Sequence, residues 1–379
     1  MAVTTEMCRE IVGSRWVGRR VAVAMSGGVD SSVAAVLLAK AGCEVVGITM
    51  KLWDHSSVGG DNAKDGRCCT LESFSDCRAV ADQFGFPHYA IDFSARFEEA
   101  VIGNFVSEYR AGRTPNPCAV CNIQIKWPAL WGKASAFGCE AIATGHYAQV
   151  SVSESGEIML RRGTDSTRDQ SYFLWGVPRD YLARTIFPLG ALLKSEVRKI
   201  AAELGLPNAQ TPESRDICFI ADGNLGRFMA ERARRDHVER TPGPIVDRSG
   251  QPVGKHDGIE YLTIGQRSGL GVALGRPQYV TRIDPESGTV TIGDDVDLFN
   301  RRCVLNNLNW INPPPMGAFS AGVQIRYRHE AARACVLPTS EGAEVEFETP
   351  QRAITRGQSA VIYDADRVIG GGTIDFITD

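Results

Sequence analysis

The chain of 379 residues is 43% hydrophobic and 23% charged, and its 41 basic and 45 acidic side chains leave a net charge of −4. At roughly 150 residues per domain this is two or three domains of an ordinary soluble protein, long enough to bury a core without staples and not the strongly basic composition of a typical nucleic-acid binder. No run of about 18 apolar residues offers a transmembrane helix, the opening MAVTTEMCREIVGSRWVGRR lacks the apolar core of a secretory signal, and 39 Gly with 18 Pro show no low-complexity bias.

Residues 21–25 (VAVAM) form a short apolar run that ends at Ser26-Gly27-Gly28. Val29–Ala41 has an amphipathic pattern and Glu44–Met50 is apolar again. The spacing predicts strand, glycine turn, helix and strand, the βαβ unit that opens a parallel sheet. Further on, helices are predicted over Phe74–Phe84, Arg96–Tyr109 and Ile123–Phe137, with strands over His88–Ile91 and Glu140–Thr144. Residues 1–223 therefore read as one α/β domain. An arginine-rich helix over Arg227–Arg240 follows. After Thr241-Pro242-Gly243-Pro244 the runs become short and β-rich (QYVTRI, GTVTIG, GVQIRYR, EVEFE, SAVIYD, VIGGGTI), the spacing of one or two small all-β units. Asn309–Met316 (NWINPPPM) is the expected inner boundary. No internal repeat is present.

Ser26-Gly27-Gly28-Val29-Asp30-Ser31-Ser32 lies between a strand and a helix. Paired glycines let backbone N–H groups approach an anion, the helix start adds its positive dipole end, and Ser26, Ser31 and Ser32 add hydroxyls. Asp30 is suited to hold Mg²⁺ on a triphosphate. There is no Gly-Lys-Ser/Thr, so this is not a Walker loop. SGGVDS resembles the pyrophosphate loop of the ATP-pyrophosphatases, which cleave ATP to AMP and pyrophosphate while adenylating a carbonyl oxygen. Gly269-Leu270-Gly271 with Gly275 has no strand-to-helix context and is rejected as a dinucleotide motif.

The chain has 11 cysteines. An odd number with no export signal is expected of free thiols in a reducing cytoplasm. Thr114-Pro115-Asn116-Pro117-Cys118-Ala119-Val120-Cys121-Asn122 places a Cys-x-x-Cys just ahead of a helix, where the dipole favours thiolates at Cys118 and Cys121. Redox pair, metal half-site and nucleophile all fit such a pair; no second Cys-x-x-Cys completes a zinc site. Cys218, in SRDICFI, has the apolar flanks of a strand residue, and a buried structural thiol is the plainer reading there.

GRTPNPCAVCN, ATGHYA, RDQSYFLW, the ICFI around Cys218, LTIGQRSGLG, RYR and GQSAV occur in order over nearly the whole chain. Together they resemble the bacterial tRNA-specific 2-thiouridylases, which replace O2 of the wobble uridine (U34) with sulfur in tRNAs for Lys, Glu and Gln. The resemblance implies an N-terminal parallel-sheet domain of the adenine nucleotide alpha hydrolase type (residues 1–223), a small β-rich central domain (224–300) and a C-terminal β-barrel that contacts tRNA (301–379). It implies ATP contacts at Ala24, Met25, Ser26, Gly27, Gly28, Val29, Asp30, Ser31, Met50 and Gly145. Cys121 matches the nucleophile and Cys218 the carrier of persulfide sulfur. Asn116, Pro117 and Cys118 would line the target base. His146, Arg168, Asp169, Gln170, Arg326, Tyr327 and Gln358 would meet tRNA.

The departure that matters is Cys118, where the best-known relatives have an Asp suited to acid–base work. Two mechanisms stay open. In one, a Cys218 persulfide delivers sulfur and Cys121 resolves it, leaving a Cys121–Cys218 disulfide. In the other, Cys118, Cys121 and Cys218 hold a [4Fe–4S] cluster with one open iron. A sulfur-donor protein or cysteine desulfurase relay is expected as partner, and a membrane is not. Cys68 and Cys69 with Cys77 form a weaker metal candidate; Cys8, Cys43, Cys139, Cys303 and Cys335 are expected to be packing thiols. The arginines at 227–240 are expected to touch the tRNA backbone, with Lys194, Arg198 and Lys199 a short distance upstream, since a balanced global charge can hide a basic face. An amidotransferase or synthetase on the same loop, and a non-catalytic iron–sulfur or RNA-binding module, are the competing classes. The first would have no use for Cys121 and Cys218.

Overall fold

VAVAM is apolar without alternation, the pattern of a strand covered on both faces. In the computed structural model, which describes residues 3–53, 71–211, 217–220, 222–272 and 275–378, this run is β1 (Arg20–Met25), with Val21, Ala22 and Val23 fully buried. Strands β2 (Glu44–Lys51), β3 (His88–Asp92), β4 (Ala141–Ala143) and β7 (Thr185–Ile186) join it in a parallel sheet of order β3-β2-β1-β4-β7. The hairpin of β5 (Ala148–Val152) and β6 (Ile158–Arg162) precedes β7. From β1 the chain builds outward on one side and then crosses to β4 on the other. The carboxyl ends of β1 and β4 therefore flank a topological switch point, where open α/β sheets bind ligands.

The helix Val29–Ala41 departs from the expected amphipathic pattern. It is buried nearly all round, with Val33 through Leu38 at zero exposure, because the sheet covers one side and the helices Thr5–Val12 and Lys194–Glu203 pack on the other. It ends at Gly42, whose φ of +94° caps the helix in the left-handed region. The predicted helix Arg96–Tyr109 is helical over Ser94–Arg110, with a π-type stretch at Glu98–Gly103 in its middle. The predicted helix from Ile123 starts earlier, at Pro117, and passes through a second π-type stretch at Asn122–Lys126 before Pro128–Ala136. Such stretches recur at functional positions.

The chain forms two compact units. The first holds the parallel sheet and comprises residues 1–101, 118–221 and 366–368; within it Arg367 pairs with Arg161 of β6. The second comprises residues 102–117, 222–365 and 369–379. Its first sheet contains β8 (Gly243–Val246), β9 (Pro252–His256), β10 (Tyr279–Asp284) and β11 (Thr289–Gly293) in the order β10-β11-β8-β9 around Ile245, Val280, Val290 and Ile292.

The remaining strands are β12 (Phe299–Trp310), β13 (Phe319–Gln324), β14 (Ala332–Pro338), β15 (Ala343–Arg352), β16 (Ser359–Asp364) and β17 (Arg367–Thr378). They run in the order β12-β15-β14-β13-β16-β17, and a β12–β17 pairing closes them into a six-stranded barrel. The expected boundary at Asn309–Met316 is corrected. Trp310 pairs with Gly370 in β17 and Ile311 is buried, so the prolines lie in a loop between two strands of one barrel. Proline lacks the ladder donor and belongs in such a connection. Among the described residues no helix is long and apolar enough to cross a membrane.

Candidate active site

Ser26, Gly27 and Gly28 leave the carboxyl end of β1 and lead directly into the helix Val29–Ala41, whose N-cap is Gly28. The loop is held by its own hydroxyls. Ser26 N–H donates to Ser31 Oγ at 3.1 Å, the two serine hydroxyls meet at 3.3 Å, and Ser31 Oγ donates to the Gly28 carbonyl at 3.0 Å. Gly27 has φ +79°, and a Cβ there would fall 2.5 Å from Ser73 Cβ, so this turn requires glycine. Gly145, just beyond β4, packs so closely that a Cβ would lie 2.9 Å from the Ser31 nitrogen. The two glycine positions named by the sequence thus meet at the switch point.

Three partners of this loop were not read from the sequence. Asn208, 1% exposed, donates to the Gly27 carbonyl at 2.7 Å and to Ser32 Oγ at 2.8 Å. Lys194 Nζ and the Tyr147 hydroxyl both donate to Asp30 Oδ1, at 2.7 and 2.8 Å. They are carried in by segments remote in the chain, and no local motif announces them. Lys194 is therefore a buried residue of the loop and not the surface cation expected beside the arginine helix. Ala24, Met25, Val29 and Met50 belong to β1, the helix start and β2 around this loop, and all but half-buried Ala24 are buried.

Cys118 and Cys121 lie within the short helix Pro117–Cys121, not in a loop ahead of a helix as expected. Their environments differ: Cys118 is exposed and Cys121 is buried. Desolvation by the surrounding protein raises the Cys118 thiol above the ordinary value, against the pull of the helix start, and the charge of Lys126 only partly opposes this. The expected strand at Cys218 is corrected. The residue lies in a turn closed by Ile220 N–H to Ile217 O at 2.9 Å, not in a strand. Phe219 and Ile220 bury their side chains, Phe219 edge-on to Phe97, and leave Cys218 half-exposed. The apolar flanks are anchors of that turn.

Among the described residues no group of three His, Cys, Asp or Glu side chains is placed to hold a metal, so the structure does not support the [4Fe–4S] reading at Cys118, Cys121 and Cys218. Cys77 is buried in the apolar core; Cys68 and Cys69 lie outside the described residues, as do Ser214, Arg215 and Asp216. Cys8, Cys43, Cys139 and Cys303 are buried and Cys335 is exposed.

RDQSYFLW builds the support of the cysteine helix. Asp169 accepts from Arg162, from the Gly163 and Ser171 backbones and from the Ser171 hydroxyl, at 2.8 to 3.1 Å. Gln170 Oε1 accepts from Tyr147 N–H at 3.1 Å. The Phe173 carbonyl takes the Asn122 side-chain amide at 2.9 Å. Arg168 is half-buried beside them. His146 is 8% exposed, stacked on Trp127, and placed between Thr144 Oγ1 at 2.7 Å and Lys126 Nζ at 3.5 Å. Burial, with the nearby Lys126 charge, holds its pKa well below 6.5, so the ring is neutral.

In the second unit, Gln358 Nε2 donates to the Thr114 and Pro115 carbonyls at 3.1 and 3.2 Å, and Thr114 N–H donates to the Arg356 carbonyl at 2.8 Å. Asn116 donates to Ser359 Oγ at 3.3 Å. The segment leading to Pro117 is thus tied to the first residues of β16. Arg326 donates to the Arg352 carbonyl at 3.0 Å, and Arg328 lies over the Tyr327 ring. In the helix Leu225–Arg235, Arg227 pairs with Asp222 and Glu231, and Arg232 with Asp236, while Arg234 and Arg235 are exposed.

Family models match almost the whole chain: "tRNA methyl transferase HUP domain" over residues 19–222, "tRNA methyl transferase PRC-barrel domain" over 234–294, and "Aminomethyltransferase beta-barrel domain" over 300–374. The tRNA-specific 2-thiouridylase MnmA of Salinibacter ruber is 48% identical over 360 residues, 94% of each chain. That of Heliobacterium modesticaldum is 46% identical over 358 residues, 93% of this chain and 92% of the relative. That of Lachnoclostridium phytofermentans is 42% identical over 365 residues, 94% and 99%.

The chain belongs to the tRNA-specific 2-thiouridylase family. Its architecture is that of a thiouridylase throughout: an α/β domain with a parallel sheet, a central PRC-barrel domain and a C-terminal β-barrel. Of the thiouridylase positions carried over from sequence, those of the phosphate loop converge on one place with Gly145. Asp169, Gln170 and Gln358 use their side chains to bind neighbouring segments.

Proposed function

We propose that this protein is an ATP-dependent tRNA 2-sulfurtransferase that replaces O2 of the wobble uridine (U34) with sulfur in cytoplasmic tRNAs for Lys, Glu and Gln. The phosphate loop at the carboxyl end of β1 carries this reading. Backbone N–H groups at the start of a 13-residue helix and the hydroxyls of Ser26 and Ser31 suit a polyphosphate. Asp30 is the carboxylate that would hold Mg²⁺; one carboxylate with phosphate oxygens suffices for this ion, which supplies charge neutralisation when bound. The matched domain descriptions name methyl transfer. The phosphate loop together with Cys121 and Cys218 favours sulfur transfer instead.

The chemistry follows from the weakness of a nucleobase carbonyl as an electrophile. Uridine O2 attacks the α-phosphorus of ATP and pyrophosphate leaves, so that O2 becomes part of an AMP leaving group. The terminal sulfur of a Cys218 persulfide, loaded by a sulfur-donor protein or desulfurase relay, attacks C2 and expels AMP. The Cys121 thiolate then attacks Cys218 Sγ. The S–S bond to the base breaks, the 2-thio base is released, and a Cys121–Cys218 disulfide remains for a thiol reductant to open. The base reaches the thiols by leaving the anticodon stack, as single-stranded loops allow.

The test is a reconstituted assay with unmodified tRNA, ATP and a persulfide donor, reading pyrophosphate and 2-thiouridine separately. Pyrophosphate release should require tRNA. Cys121→Ser and Cys218→Ser should abolish thiolation while adenylation continues. Modification without consumption of ATP to AMP, or thiolation that survives both substitutions, would overturn the proposal.

A further inference from the structure

The loop Ser26–Ser31 contains no lysine, yet an ammonium group stands against it. Lys194 is the first residue of the helix Lys194–Glu203, and its backbone N–H donates to Asp165 Oδ2 at 3.0 Å. Its side chain runs to Asp30, in the first turn of the helix Val29–Ala41.

Three features set this apart from an ordinary ion pair. Lysine is almost never buried this deeply without a reason, since an ammonium loses much of its hydration there. A helix N-terminus carries roughly half a positive charge and repels a cation placed beside it. Asp30 receives both the ammonium and the Tyr147 hydroxyl on one oxygen, Oδ1, at a loop whose backbone geometry suits phosphate.

We propose that Lys194 is the cation that grips the ATP polyphosphate in this loop. Asp30 holds its ammonium before nucleotide binds, and the ammonium passes from carboxylate to phosphate when it does. The inference rests on the reading of the loop as an ATP site. The residue takes the part that a Walker lysine takes in other phosphate loops, but it arrives 164 positions after the aspartate that holds it. Tyr147, which donates to the same oxygen, keeps Asp30 oriented when the lysine leaves.

The test is calorimetric binding of ATP, inorganic pyrophosphate and AMP to the full-length protein, without Mg²⁺ and without tRNA. Lys194→Met should weaken ATP and pyrophosphate tenfold or more and AMP less than threefold, and Lys194→Arg should recover most of the loss. Asp30→Asn should bind pyrophosphate at least as tightly as the native protein, because the ammonium is no longer shared. Native-like pyrophosphate binding by Lys194→Met overturns the proposal. So does an equal loss in Asp30→Asn and Lys194→Met, which would mean that the pair only shapes the loop. If the native protein binds neither ATP nor pyrophosphate, the ATP reading itself falls; if it binds both and Lys194→Met is unaffected, only the role of Lys194 falls.

Discussion

Asn208 donates its side-chain amide to the carbonyl oxygen of Gly27 at 2.7 Å, from 181 positions further along the chain. Its other amide hydrogen reaches Ser32 Oγ, so one buried side chain spans the turn and the helix that follows. Asn208→Ala leaves two buried acceptors without this donor, and such losses cost about 1–3 kcal/mol. Urea unfolding should show a loss in that range together with weaker ATP binding. Asp in its place should be worse, since a carboxylate would then face a carbonyl. Unchanged stability and nucleotide affinity would show that Asn208 has no hold on the loop.

Gly27 and Gly28 are adjacent but unequal. Gly27 combines φ +79° with a Cβ position 2.7 Å from the Ser73 Cα, whereas at Gly28 the nearest atom is Ser26 Oγ at 3.6 Å. Gly27→Ala should abolish nucleotide binding and destabilise the fold by at least the 1–2 kcal/mol typical of left-handed strain alone. Gly28→Ala should leave stability within about 0.5 kcal/mol of native. Parallel thermal melts and ATP titrations of the pair check this; equal damage at both positions would contradict it.

The parts of the site that lie in consecutive residues were legible in the sequence. The loop, the helix after it and the strands on either side follow from apolar runs punctuated by glycine, and the switch point follows from their order. Lys194, Tyr147 and Asn208 were not legible, because each meets the loop through tertiary folding. The turn at Cys218 was misread since burial of Phe219 and Ile220 produces the same apolar signature in a turn as in a strand. The alternating pattern of β5 and β6 was overlooked between stronger motifs. At Cys118 the sequence shows the helix start but not the desolvation that opposes it, because the groups that surround the thiol come together only in the fold.

Gln358 binds the carbonyls of Thr114 and Pro115. Each such bond contributes about 1 kcal/mol, a factor of roughly five in an equilibrium. Gln358→Ala should therefore reduce tRNA thiolation severalfold with ATP affinity intact, through a looser Thr114–Asn116 segment. Increased protease cleavage of that segment in the variant would identify the cause. Native susceptibility alongside weakened tRNA binding would assign Gln358 to direct tRNA contact instead.

Cys118 is exposed but its thiol is raised above 9.0 by desolvation. The thiolate is the species that alkylates. Iodoacetamide labelling at Cys118, followed by peptide mass spectrometry, should keep accelerating beyond the pH where a free cysteine levels off. Lys126→Met, which removes the opposing charge, should move the profile further up. A plateau below pH 8 would contradict the assignment.

His146 titrates near 6.5 in an unfolded chain and well below that when folded. Between those values the unfolded state holds the extra proton, so stability is complete above pH 6.5 and falls as the pH drops through the window. Native protein should lose stability below pH 6.5 more steeply than His146→Gln, by up to about 1.4 kcal/mol per pH unit. Identical slopes in urea titrations of the two proteins would exclude the histidine as their source. His88 and His329, also depressed, are common to both proteins.

Residues 102–117 belong to the second unit, although the chain on either side of them belongs to the first. During synthesis this stretch leaves the ribosome well before its partners at Phe228, Ile283 and Ser359 exist. Phe105, Val106 and Tyr109, buried in the finished protein, must wait exposed until later segments such as that of Phe228 arrive. The order of assembly is therefore interleaved, and neither unit can be completed from one uninterrupted stretch of message. A protein cut near residue 221 would retain that unsatisfied apolar segment, and its N-terminal piece should need a chaperone where the intact chain does not.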